Sequence, residues 1–219
     1  MFAINHAASA LLFKRHLPET NIIWLLLSVQ VVELLWVGLV LLGIEHVTTE
    51  PVVEYVGHIH LSYMPFSHSL LSSMVLACLV GTGFYIWKQS ARTGVLMGMA
   101  LLSHVLLDAL THTADLPLLP GSAIYLGIGL YDHLPILAFV VEVGFGLLCW
   151  WYYRGNKPLF WIILLGNLAN LTFFVSTLPG PEKWLPAHPS WLVYSVLFQI
   201  LLTLSLVGYF SGIKNRATA

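Results

Sequence analysis

Charged side chains are what this sequence has least of: nine Lys and Arg and ten Asp and Glu in 219 residues, 9% in all. A soluble domain carries about 25%. So little polar surface cannot cover a globule in water, which excludes an ordinary soluble domain and leaves an integral membrane protein. Positive and negative charge nearly balance, at a net −1, so there is no basic field to hold nucleic acid. Cysteine is scarce too. Cys78 and Cys149 both fall inside apolar runs and read as small packing residues rather than a disulfide or a metal pair. No tandem repeat or low-complexity segment interrupts the chain, which argues for a single domain over 1–219. The HExxH pattern of zinc proteases is also missing.

What is present is hydrophobic, 58% of the chain. A membrane span takes about 20 apolar residues, and six stretches qualify: roughly 22–43, 68–87, 93–111, 133–153, 158–177 and 190–211. Helices satisfy their own backbone in lipid, where an open strand edge cannot. The expected fold is therefore all-α, a polytopic membrane helix bundle of about six transmembrane helices. Lys14, Arg15, Lys88, Arg92, Arg154, Lys157, Lys214 and Arg216 fall on one side of it, and Lys183 alone on the other. That bias predicts cytoplasmic termini, with 44–67 and 112–132 outside. The first apolar run, Phe2 to Phe13, is too short to cross. It reads as a short half-inserted helix rising from Lys14, or as one lying at the interface. Since it precedes Lys14 and Arg15, the reverse of a signal peptide's order, it is expected to be retained.

Against this background the stretch SHVLLDALTH, residues 103–112, places His104, Asp108 and His112 one helical turn apart in a single stripe. Depth follows from a rise of about 1.5 Å per residue. Counted from the nearest cytoplasmic flank, His104 and Glu142 lie roughly 18 Å deep, Glu33 roughly 16 Å and His6 roughly 12 Å. Each such group costs about 2.5–3.5 kcal/mol to insert. No Lys or Arg accompanies them. Carboxylates and imidazoles gathered without a cationic side chain need another counter-charge, which a divalent cation supplies. The segment HIHLSYMPFSHS adds His68 beside His58 and His60, the last two expected, like His133, to be loop residues in water. Gln30, one turn before Glu33, reads as its partner, and Asn167 and Asn170 read as glue between helices.

Three segments carry a family resemblance: NHAASALLFKRHLPE, MPFSHSLLSSM and LLSHVLLDALTHTADLPLLPG. Over about residues 1–145 the chain resembles the bacterial membrane-bound metal-dependent hydrolase family, which includes the YdjM-like inner-membrane proteins. That pattern has an early His, an acidic residue in the next helix, a Ser-His-Ser opening a helix, and His-x3-Asp in the one after. The positions here are His6, Glu33 in QVVELLW, His68, and the pair His104 and Asp108. The family usually has Asp where this chain has Glu33, and the Arg that often precedes its Thr-His-Ser is replaced by Tyr-Met-Pro-Phe at 63–66. No phosphate-clamping role is therefore carried over.

The resemblance implies that His6, Glu33, His68, His104 and Asp108 hold one or two divalent ions, zinc by default for a mixed His and carboxylate set. Glu142 or His112 would serve as general base or as a supporting group. The implied activity is hydrolysis of a lipid or lipid-linked ester, phosphoesters included, near the outer half of a bacterial inner membrane. The partners are membrane lipids and no nucleic acid. Two other classes use the same residues: a divalent-metal or proton transporter or sensor, and a structural membrane subunit. Metal content separates the last from the first two.

Overall fold

Helix α1 (Ala3–His16) is the centre of the structure. Residues 3–11 are all buried, so over that length the helix keeps no face for lipid or water. In the computed structural model, which describes residues 1–212, it is enclosed by five others. These are α2 (Ile22–Leu41), α4 (Ala91–Thr111), α6 (Pro135–Tyr153), α7 (Lys157–Leu168) and α8 (Ser190–Gly212). The sequence permits this because Ala3, Ala7, Ala8, Ser9 and Ala10 let neighbouring backbones approach closely. Of the two expectations for this segment, the helix lying at an interface is overturned, since such a helix would leave one face open. Lys214 and Arg216, counted above in the charge bias, lie outside the described residues.

Helix starts follow the expected chemistry of unsatisfied N–H groups. Asn21 accepts from the Ile23 N–H, Ser90 from the Thr93 N–H and Asn156 from the Leu159 N–H. Pro stands in the first turn of both α6 and α7. Helix α3 (Leu70–Lys88) opens on Ser69, whose side chain accepts from the Ser72 N–H.

Among the described residues, five helices are long and apolar enough to span a membrane: α2, α3, α4, α6 and α8. The fold is the expected all-α membrane helix bundle. The expected span at 158–177 differs, because α7 stops at Leu168 and is followed by a 3₁₀ turn, Leu171–Phe173. Two asparagines account for the break. The Asn167 amide donates to the Ile163 carbonyl (2.9 Å) and the Asn170 amide to the Gly166 carbonyl (2.8 Å). Side chains that serve these carbonyls compete with helix continuation. Phe2 then packs edge-on against Phe173, with ring centroids 5.5 Å apart.

Helix α3 contrasts with α1. Its main packing is against α4, along a seam of small residues. A Cβ added at Gly94 would lie 2.6 Å from the Gly81 carbonyl oxygen, and one at Gly98 2.9 Å from that of Ala77. Backbone therefore meets backbone here, the small-residue packing of membrane helices. At the end of the bundle where α2 finishes and α3 begins, strands β1 (His46–Thr49) and β2 (Ile59–Tyr63) form an antiparallel hairpin.

Candidate metal centre

Four side chains from three places in the sequence meet inside the bundle. Glu33, His68, His104 and Asp108 each offer a ligand atom, and all four atoms lie within 4.8 Å of one another. Helix α2 supplies Glu33 and α4 supplies His104 and Asp108, one turn apart on one face. His68 is fixed by the start of α3, directly before the capping Ser69. Glu33 Oε2 lies 3.2 Å from His68 Nε2 and 3.3 Å from His104 Nε2. Asp108 Oδ2 lies 3.1 Å from His104 Nε2 and 3.8 Å from His68 Nε2.

The other nitrogen of each imidazole decides what these contacts mean. His104 Nδ1 is 2.7 Å from the Val29 carbonyl oxygen, which can only accept, so Nδ1 carries the proton. Ser67 Oγ gives its proton to Glu45 Oε2 at 2.5 Å, and His68 Nδ1 lies 2.8 Å from that same Oγ. Ser67 therefore accepts from His68 Nδ1. In their neutral form both rings would turn Nε2 lone pairs toward two carboxylate oxygens. His104 Nε2 and Asp108 Oδ2 are buried without a hydrogen-bond partner. Four acceptors facing inward repel unless a cation lies among them or the rings are protonated. Nδ1–H anchored to a carbonyl or carboxylate relay, with Nε2 presented inward, is the arrangement metal-binding histidines adopt. The donor set fits a divalent ion, zinc included.

Sequence reasoning missed Glu45 and Ser67. Glu45 is fully buried and also accepts from the Phe66 and Ser67 backbone N–H groups, at 2.9 Å each. Ser67 stood within the Ser-His-Ser segment, whereas Glu45 had only its position beside the end of an apolar run to mark it.

The remaining expected site residues fall into two groups. His6 and His112 adjoin the cluster through the second oxygen of Asp108. His6 Nε2 is 3.1 Å from Asp108 Oδ1, its ring stacked on His104 at 3.7 Å. His112 Nε2 is 3.9 Å from the same oxygen. The Met1 nitrogen also faces it, at 2.5 Å. Glu142, by contrast, is fully engaged elsewhere. It accepts from the Phe2 N–H (3.1 Å), the Asn5 amide (2.6 Å) and the Tyr131 hydroxyl. Tyr131 lies in the short helix α5 (Leu130–His133). Burial, reinforced by the Glu142 carboxylate, pushes its hydroxyl well above the ordinary phenol range, so it remains a donor. Gln30 is not the partner of Glu33: its amide donates to the Ala3 carbonyl at 2.8 Å, linking α2 to α1. Asn167 does join helices, accepting from the Asn5 amide at 2.8 Å.

A cavity of about 120 Å³ opens beside the cluster. His6, Glu33, His68, Asp108 and His112 form its polar wall. Its apolar wall is Trp36, Ile59, Leu61 and Phe173, with Leu192, Ser195, Val196 and Gln199 of α8 as a further side. The site thus pairs a charged end with an apolar flank. Compared with known proteins, the chain matches no family model, no curated protein and no solved structure.

Proposed function

We propose that the protein is a membrane-embedded metal-dependent hydrolase acting on a lipid or lipid-linked ester. One observation carries the reading: two imidazoles, each anchored through Nδ1, turn Nε2 toward the carboxylates of Glu33 and Asp108 in a buried pocket. Glu33, His68, His104 and Asp108 would hold a divalent ion, zinc by default, which would supply Lewis acidity and acidify a bound water toward neutral pH. The Glu45–Ser67 relay and the Val29 carbonyl hold the two rings in orientation. His112, at the cavity wall beside Asp108, is the group suited to take a proton from attacking water. Glu142, saturated by three donors, positions α1 and α5 instead. The apolar flank from Trp36 to Val196 suits an acyl or prenyl chain, with the ester at the charged end.

The same residues support the likeness to the bacterial membrane-bound metal-dependent hydrolases, and with it an inner-membrane location. The Lys and Arg bias supports cytoplasmic termini with the hairpin outside. The test is purified protein, loaded with zinc, assayed against fluorogenic phospholipid and simple acyl esters. Turnover that disappears in His104→Ala is expected. Zinc bound without turnover on any ester, together with zinc flux in liposomes, would replace the hydrolase by a transporter.

A further inference from the structure

Helix α8 lies outside the segments that carry the metal centre, yet one of its side chains stands apart from the rest. Ser195, Thr203, Ser205 and Ser211 each donate to a carbonyl of the same helix three or four residues back, at 2.8 to 3.3 Å. Hydroxyls settle in an apolar helix this way. The Gln199 amide has no hydrogen-bond partner among the described residues. It follows the start of α8 at Ser190 by roughly 14 Å, near the middle of a hydrocarbon core about 30 Å thick. An amide at that depth faces hydrocarbon, at a cost, unless a cavity brings it a partner.

Gln199 does line a cavity, the one beside the metal centre. Leu192, Ser195, Val196 and Gln199 follow the i, i+3, i+4, i+7 pattern, so one face of α8 forms that side. Ser195 has already given its proton to the Leu192 carbonyl, which leaves Gln199 as the side chain on this face with donors to offer. Charge decides what those donors suit. The polar wall carries Glu33 and Asp108, whose two negative charges a divalent ion would balance. Asp115 and Asp132 add two more carboxylates, and among the described residues no Lys or Arg lines the cavity. The Met1 nitrogen is already engaged by Asp108 Oδ1 and Thr111 Oγ1. A phosphate group would therefore enter a cavity whose remaining charge has its own sign. An uncharged ester meets no such repulsion, and its carbonyl oxygen needs only a neutral donor.

We propose that the substrate is an uncharged carboxylic ester and that the Gln199 amide donates to its carbonyl oxygen. The inference rests on the hydrolase reading above and narrows it from esters in general to acyl esters. In the reaction, water adds to the carbonyl carbon and the bond to the alcohol oxygen breaks. His112 takes the proton from water and returns it to that oxygen, which leaves a carboxylic acid and an alcohol. Negative charge gathers on the carbonyl oxygen during the attack, where a donor already in place acts most strongly.

The test compares the zinc-loaded full chain in detergent with Gln199→Met, which keeps the side chain's length without its donors. The substrates are p-nitrophenyl dodecanoate and dodecyl p-nitrophenyl phosphate. Turnover of the dodecanoate alone is expected, with kcat lower by about 10²–10³-fold in Gln199→Met and with KM and melting temperature little changed. A second measurement needs no turnover: infrared difference spectra of a long-chain methyl ketone isotopically labelled at its carbonyl carbon. Its stretch should lie lower in the wild type than in empty micelles, and return to the micelle value in Gln199→Met. Faster turnover of the phosphate ester would overturn the substrate class and leave the hydrolase reading intact. Equal kcat in the two proteins, or a ketone stretch that the substitution does not move, would overturn the role of Gln199. No turnover of either ester would overturn the hydrolase reading and the substrate class with it, while the ketone stretch still decides whether Gln199 binds a carbonyl.

Discussion

Two buried carboxylate centres lie side by side in this bundle, and they are built in opposite ways. Around Glu142 every neighbour is a donor: the Phe2 N–H, the Asn5 amide and the Tyr131 hydroxyl. Around Glu33 and Asp108 Oδ2 the neighbours are imidazole nitrogens whose protons are engaged on the far side of each ring. The first centre is satisfied by the protein alone. The second is complete only with added positive charge, because a buried acceptor without a partner costs about 1–3 kcal/mol and a buried unpaired charge more. Burial does not separate them in the expected sense, since Glu142 is fully buried and the Glu33 side chain is 20% exposed. The direction of the protons does.

Substitutions can break this contrast in graded steps. The largest effect is expected from His104→Ala, which removes a ligand and should abolish ion retention through dialysis, measured by elemental analysis. Next comes Ser67→Ala. It leaves His68 Nδ1 and Glu45 without their shared hydroxyl, and losses of this kind cost about 10–100-fold in metal affinity. Competition with a chromophoric chelator reads that change. Glu142→Gln should do the reverse. It should leave ion affinity unchanged and lower stability by about 1–3 kcal/mol, read as a fall in detergent melting temperature that added zinc does not repair. The smallest effect is expected from Gln30→Leu, which removes the bond to the Ala3 carbonyl. A loss of about 0.5–1.5 kcal/mol with unchanged ion affinity would confirm that Gln30 supports α1 rather than Glu33.

Much of this was legible in the sequence, and the residues show why the rest was not. His104 and Asp108 declared themselves by spacing and by their cost in an apolar helix. Glu33 and His68 joined them through depth and through the Ser-His-Ser segment. Glu142 illustrates the limit of depth arithmetic, which gives height along the bundle but not the direction a side chain takes around its helix. Its height counted along the sequence matches that of His104, yet it faces Asn5 and Tyr131. Glu45 was hidden because its partners lie 21 and 22 residues away, across the hairpin. The Val29 carbonyl was hidden because any residue type provides one. Helix α1 read as too short to span, correctly, but shortness alone did not tell that five helices enclose it. The break after Leu168 turned on two asparagines that read as glue: Asn167 does join α1, while Asn170 bonds back to its own helix.

The most direct test of the central claim is the divalent metal content of the purified protein beside that of His104→Ala and Glu142→Gln. At least one ion per chain is expected in the wild type and in Glu142→Gln, with none in His104→Ala. A folded wild-type protein that takes up no ion from zinc- or manganese-replete buffer would contradict it. Glu33 and Asp108 would then be balanced by protons on His68 and His104 alone.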